Sequence, residues 1–163
     1  MKRNSIYLLR HGETDWNRIG RIQGIKDIPL NKNGLRQAKK MGKYLRKLRI
    51  DLIYTSPLKR AKETAEIINE FLNTKIVVSK SLMEMPVNYN GLENTYLLQN
   101  ENEFRVFEHS VIATLNEIKE LNKNILIVGH GTWIKVIMCE YNGKDFFDES
   151  SNIENCELNE YEV

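Results

Sequence analysis

The chain is poor in cysteine, in proline and in long apolar runs. Its two cysteines, Cys139 and Cys156, show no metal-type spacing. A disulfide scaffold is excluded, and two ordinary thiols point to a reducing, cytoplasmic setting. No apolar run approaches the ~20 residues of a membrane span. The four residues Ile6, Tyr7, Leu8 and Leu9, behind Met1-Lys2-Arg3-Asn4, are too few for the ~7–15 apolar residues of an export signal. Three prolines, nine glycines and the lack of any repeat exclude collagen-like and low-complexity classes. What is present, 41% hydrophobic and 28% charged residues over 163 positions, is ordinary globular composition. It fits one domain over residues 1–163, with a core burying roughly 70% of the unfolded surface.

A net charge of +2 conceals an uneven distribution. Residues 1–62 hold 17 Lys and Arg against 4 Asp and Glu, and the remainder is acidic. Such a half could attract an anionic partner. Eight of those cations, however, lie between Lys32 and Arg49 and read as the wet face of a helix. Tyr44 is the one aromatic among them and no nucleic-acid motif accompanies them, so neither a nucleic-acid nor a membrane partner is expected.

Periodicity predicts alternating strands and helices. Ser5–Arg10, Asp51–Thr55, Lys75–Ser79 and Asn124–Gly129 read as buried strands, and Asn155–Tyr161 as a final edge strand. Helices are predicted over Asn31–Arg49, Glu101–Leu121 and Trp133–Tyr141. Another is predicted from Ser56-Pro57, with serine as cap and proline at the first helical position. Residues 84–100 lack periodicity and read as a long functional loop, or one with a short helix. The order implies a three-layer α/β/α sandwich around a mostly parallel sheet. In such sheets ligands bind beyond the carboxyl ends of the strands.

Two of the three histidines, His11 and His130, follow apolar strands directly, and each precedes a glycine. His109 lies inside a predicted helix and stands apart. Paired histidines suit a metal, but no clustered Cys, His or Asp supplies further ligands, and Arg10 beside His11 would oppose a cation. An anion fits better. Arg60 falls near the N-terminus of its helix, where positive charge is disfavoured, which marks it as a site residue. Arg10 and Arg60 could each hold two phosphate oxygens. The helix that follows Gly131 would add backbone N–H donors. The residues therefore suggest two arginines and two histidines around a phosphate, without metal or cofactor.

The run Arg10-His11-Gly12-Glu13-Thr14-Asp15-Trp16-Asn17 resembles the signature of the histidine phosphatase superfamily, the phosphoglycerate mutase-like family. The resemblance continues in order through Gln23-Gly24, Asp27, Pro29-Leu30, Gly34 and Gln37-Ala38. It includes Ser56-Pro57-Leu58, Arg60-Ala61, Thr64-Ala65, Leu82 and Glu84, and Val128-Gly129-His130-Gly131. It implies a phosphomonoester hydrolase in which His11 is phosphorylated and then hydrolysed. It further implies that His130, protonated against the dianion, joins Arg10 and Arg60 in stabilising the transferring group. Asn17 would donate to the phosphoryl group, and Gln23 and Gly24 would line the mouth. Glu84 would protonate the leaving alcohol and then activate water. The stretch Met85-Pro-Val-Asn-Tyr-Asn-Gly91-Leu-Glu93 departs from the family pattern, which leaves Glu93 as the alternative acid.

The rival activity is a mutase acting on phosphoglycerate, whose carboxylate needs extra cations. Residues 85–129 offer only Arg105, Lys119 and Lys123, which favours hydrolysis. Sugar phosphates, nucleotide monophosphates, a ribazole phosphate and protein phosphohistidine all stand as candidate substrates.

Overall fold

The computed structural model describes residues 4–86, 101–146 and 152–162. Strands are β1 (Ser5–Arg10), β2 (Leu52–Thr55), β3 (Lys75–Val78), β4 (Ile125–Gly129) and β5 (Leu158–Glu162). Helices are α1 (Asp15–Arg18), α2 (Lys32–Leu45), α3 (Lys59–Leu72), α4 (Glu101–Lys119) and α5 (Gly131–Asn142), with a 3-10 turn at Lys80–Leu82. The sheet order is β3-β2-β4-β1-β5, parallel except for β5. The expected mostly parallel α/β architecture is present.

Side chains alternate across a strand, so a sheet covered on both faces needs apolar residues at consecutive positions. β1 and β4 meet that need. Ile6, Leu8, Ile125 and Ile127 pack on one face with α4 and α5, through Phe104, Val111, Leu115, Trp133 and Ile137. Tyr7, Leu9, Leu126 and Val128 pack on the other with Leu45 of α2 and with Ala61, Ala65 and Ile68 of α3. The chain thus leaves β1 towards α2 on one face and leaves β4 towards α5 on the other. Adjacent strands whose connections diverge open a crevice at their carboxyl ends.

Three local predictions are corrected. Helix α3 starts at Lys59, and its cap position, Leu58, has no side-chain cap. Asp27 caps it from another loop, accepting from the Lys59 N–H at 2.7 Å, and Glu63 turns back to accept from the Leu30 N–H at 2.8 Å. An acid thus does reach the helix N-terminus, as its dipole favours, and Ser56 is released for another task. Helix α5 starts at Gly131, with His130 at the cap position but making no side-chain cap, two residues earlier than its apolar pattern suggested. Helix α2 ends at Leu45 rather than Arg49. The one-turn helix α1 was not anticipated. It is held by a reciprocal cap in which the Thr14 hydroxyl accepts from the Asn17 N–H and the Asn17 side chain accepts from the Thr14 N–H.

The loop after β1 is stitched to α2. Asn31 caps α2 through the Gly34 N–H at 2.9 Å and donates to Glu13 at 2.8 Å, while Gln37 accepts from the Glu13 N–H at 2.8 Å. Gly12 and Gly34 lie back to back. A Cβ on Gly12 would stand 2.7 Å from the Gly34 carbonyl oxygen, and one on Gly34 would collide with the Glu13 carbonyl. Glycine at position 12 therefore serves the approach of α2. Gly34→Ala is expected to destabilise the fold by about 1–3 kcal/mol through overpacking. Gly129→Ala, whose Cβ would meet nothing within 4 Å, should leave the melting temperature nearly unchanged. Thermal denaturation of the two variants checks the contrast, and equal losses would contradict it.

Candidate active site

Pairing of β1 with β4 sets Arg10 opposite Gly129, so the residues that follow emerge side by side. The His11 N–H continues the ladder to the Gly129 carbonyl at 3.0 Å. The two imidazole rings stand 5.4 Å apart at 61°. Both histidines are buried, at 3% and 0% exposure, behind an open cavity of about 580 Å³.

The protonation of His11 follows from its partners. Nδ1 lies 2.7 Å from the Gly12 carbonyl oxygen, which only accepts, so Nδ1 carries hydrogen. Nε2 receives the Arg60 Nε–H at 3.2 Å, so Nε2 holds a lone pair. Burial, and then the Arg60 and Arg10 charges, keep the ring's pKa well below its ordinary 6.5. His11 is therefore a neutral imidazole with a fixed tautomer, and Nε2 is its nucleophilic atom.

His130 is also held neutral by its surroundings, whereas the cation that the resemblance implies is one facing a bound dianion. Burial, followed by the Arg60 charge and with Arg10 adding to it, holds it well below 6.5 as well. Its Nε2 pairs with the Ser56 hydroxyl at 2.8 Å. That hydroxyl accepts from the Leu58 N–H at 3.3 Å, and where it gives its own proton to Nε2 the ring hydrogen sits on Nδ1. Among the described residues, two buried side-chain nitrogens lack a protein partner, and they are His130 Nδ1 and Arg10 Nε. Unpaired buried donors cost roughly 1–3 kcal/mol each, and an anion would satisfy both.

Arg60 is 1% exposed and already committed. Its terminal nitrogens donate to the Gly24 and Lys26 carbonyls at 2.7 Å each, so it organises the loop as well as facing His11. Arg10 donates through Nη1 to the Ile153 carbonyl. A Cβ on Gly131 would stand 3.6–3.7 Å from the Arg10 guanidinium, and α5 opens there. Gln23, 7% exposed, accepts from the Thr14 hydroxyl at 3.0 Å.

Glu84 reaches the cavity from the segment after the 3-10 turn. That turn is anchored by buried Leu82 and by the Trp133 indole, which donates to the Ser81 carbonyl at 3.1 Å. The Glu84 carboxyl accepts from the Met85 N–H at 2.9 Å and the Thr132 N–H at 3.3 Å. Burial outweighs these bonds and raises its pKa above the ordinary 4.5. The alternative acid, Glu93, lies outside the described residues.

Of the sequence-predicted residues, Arg10, His11, Asn17, Gln23, Gly24, Arg60, Glu84 and Gly131 all line this cavity, and His130 stands just behind it. His109 is exposed and remote in α4. Sequence reasoning missed Ser56, which it read as a cap. It also missed Thr64, whose hydroxyl accepts from the Gly12 N–H at 3.0 Å, and the segment Asn152–Asn155, which closes one wall. Among the described residues, no helix is long and apolar enough to cross a membrane, and no group of three or more His, Cys, Asp or Glu could hold a metal ion.

The fold and this cation-lined cavity at the carboxyl edge of the sheet define an α/β enzyme of the phosphatase class. Residues 6–163 match the family described as histidine phosphatase superfamily (branch 1), and the chain belongs to it. The uncharacterized phosphatase PhoE of Bacillus subtilis is 37% identical over 171 residues, spanning 97% of this chain and 88% of its own. A protein named "Probable phosphoglycerate mutase GpmB", from Klebsiella pneumoniae, is 46% identical over 80 residues, which cover 49% of this chain and 37% of that one. Phosphoserine phosphatase from Entamoeba histolytica, solved with 3-phosphoglyceric acid, superposes with a TM-score of 0.79 at 27% identity, over 96% of this chain and 89% of that one.

Both imidazoles titrate below 6.5 when folded, so below that pH the unfolded chain binds protons first and stability falls. Glu84 acts oppositely, its contribution fading as pH rises from 4.5 through its folded value. Comparing wild type with His130→Gln isolates one imidazole. The variant's relative stability should improve as pH drops below 6.5 in urea denaturation. A pH-independent difference would refute the assignment of a buried neutral His130.

Proposed function

We propose that this chain hydrolyses small phosphomonoesters without a metal or cofactor, through a phosphohistidine on His11, and that residues 1–163 work as one domain. Membership of the phosphatase class rests on the family; the steps and residue roles are the proposal. The observation that carries it is the His11 tautomer, with Nδ1–H tied to the Gly12 carbonyl and the ring's lone pair on Nε2, where it accepts from Arg60 Nε–H until phosphorus takes its place, in the cavity that both residues line. A reduced, cytoplasmic setting suits the two free thiols.

The substrate phosphoryl group sits among Arg10, Arg60, His130 Nδ1, the Asn17 amide and the backbone at Gly131, with Gln23 and Gly24 at the mouth. Its two charges reverse the local field, so His130 gains a proton as the dianion enters. His11 Nε2 attacks phosphorus and the P–O ester bond breaks. The leaving oxygen takes the proton of Glu84, whose acid form burial favours. The alcohol departs. Glu84, now a carboxylate, takes a proton from water as that water attacks phosphorus. The N–P bond breaks, phosphate is released, and both residues return to their starting forms.

Hydrolysis is favoured over the mutase reaction because two of the three cations weighed for a substrate carboxylate, Arg105 and Lys119, are engaged elsewhere. Arg105 is bridged to Glu108 at 2.9 Å and to Glu101 and Asp145 at 3.8 Å. Lys119 donates to the Tyr161 hydroxyl at 3.2 Å. Residues 87–100 contain no Lys or Arg.

Phosphate release from a panel of phosphomonoesters, with 2- and 3-phosphoglycerate included, should persist in excess chelator and vanish in His11→Ala. Release by the variant would remove His11 from the mechanism. Interconversion of the phosphoglycerates without release would favour the mutase. Glu84→Gln should lower kcat about 10²–10⁴-fold on alkyl phosphates. The loss in the first step should be far smaller with p-nitrophenyl phosphate, whose leaving group needs no proton. Equal burst rates for wild type and variant on alkyl phosphates would remove Glu84 as the acid.

A further inference from the structure

The segment that precedes β5 crosses the end of β1 and touches the site from behind. Cys156 adopts a left-handed conformation, with φ of 56°, and its N–H donates to the Arg10 carbonyl at 3.0 Å and the His11 carbonyl at 3.3 Å. This turn points the neighbouring Asn155 side chain at the loop after β1. Asn155 Nδ2 lies 3.0 Å from the His11 carbonyl oxygen and 3.3 Å from Asn17 Oδ1.

These contacts settle two amide orientations. The His11 carbonyl only accepts, so the nitrogen of Asn155 must face it. The same NH₂ then donates its other hydrogen to Asn17, which must present oxygen. The Thr14 N–H, an unambiguous donor at 3.1 Å, demands the same of Asn17. The oxygen end of Asn17 is thereby filled, and its NH₂ end is left for the cavity that Asn17 lines. The flipped amide would set NH₂ against two N–H donors and turn its oxygen towards an incoming anion.

We infer that Asn155 is a positioning residue for phosphoryl binding, holding the Asn17 amide with its NH₂ towards the phosphoryl group. It never touches the substrate's reacting atoms. It links the last strand of the sheet to the first catalytic loop, and it rests on the proposed role of Asn17 as a phosphate donor. The chain His11 carbonyl, Asn155, Asn17, phosphoryl oxygen alternates acceptor and donor throughout, and removing Asn155 leaves the Thr14 N–H as the one backbone donor holding the amide, which loosens it.

A double-mutant cycle tests this. Asn155→Ala should weaken inorganic phosphate binding and lower kcat/KM by roughly 3- to 10-fold, the worth of one hydrogen bond. In an Asn17→Ala background the same substitution should change either quantity less than about twofold, because the group it positions is gone. An equal loss in both backgrounds would overturn the inference, since Asn155 would then act on the His11 backbone or on the fold. So would no loss in the wild-type background. Where Asn155→Ala fails to fold by circular dichroism, Asn155→Leu, of similar size, uncharged and unable to donate, takes its place in the cycle under the same criteria. Phosphate affinity is read by calorimetry as well as by inhibition. The cycle therefore reports on Asn155 even if turnover is absent, whereas phosphate release by wild type against His11→Ala reports separately on the proposed reaction.

Discussion

The site depends on keeping one imidazole uncharged, and turned the right way, in a nest of guanidinium groups. His11 Nδ1–H is tied to the carbonyl of its own neighbour, Gly12, and Nε2 receives the Arg60 Nε–H. An imidazolium would set Nε2–H against Nε–H beside two positive charges, so the cations that attract a phosphate also keep the nucleophile in its reactive form. Much of the surrounding structure maintains that arrangement. Gly12 must approach Gly34 without a side chain, the Gly12 N–H is held by Thr64, and the Arg60 guanidinium is fixed by the Gly24 and Lys26 carbonyls.

A second constraint comes from sheet order. β1 and β4 are neighbours in the sheet although 119 positions separate Ser5 from its partner Asn124 just ahead of β4. Their divergent connections open the crevice, and the two imidazoles meet there at 5.4 Å. Buried donors left open at Arg10 Nε and His130 Nδ1 are a standing cost to the fold. Such a cost is tolerated where a ligand offsets it, and stability given up at a site is commonly recovered in the core around it. Here the fully buried layers on both faces of the sheet supply that core.

The features legible in the sequence were those that repeat or that violate a local rule. Consecutive apolar residues in β1 and β4 announce a sheet covered on both faces. Two His-Gly pairs after those runs announce the ligand edge. Arg60 announces itself by standing where a helix N-terminus disfavours positive charge. What stayed hidden was whatever depends on a partner distant in the chain. Ser56 looks like a cap because Ser-Pro usually is one, but the true cap, Asp27, arrives from a loop 32 residues away. That frees Ser56 for His130. Asn155 carries no local signal, since an asparagine before an edge strand reads as an ordinary turn residue. Its meaning comes only from contacts 138 and 144 residues away. The neutral state of His130 was hidden for a related reason. It arises from burial and from the summed charges of residues gathered by the fold.

The central claim is that phosphate passes through His11 Nε2. It is tested most directly by trapping the intermediate in Glu84→Gln with p-nitrophenyl phosphate, which can phosphorylate the enzyme without an acid but then lacks the base for hydrolysis. The account predicts a phosphoenzyme that is labile in acid and stable in base, with a ³¹P resonance of phosphate on the Nε2 position, located at His11 by peptide mapping and absent from His11→Ala. A phosphoenzyme at another residue, or steady hydrolysis by Glu84→Gln with no bound phosphate at any time, would contradict it.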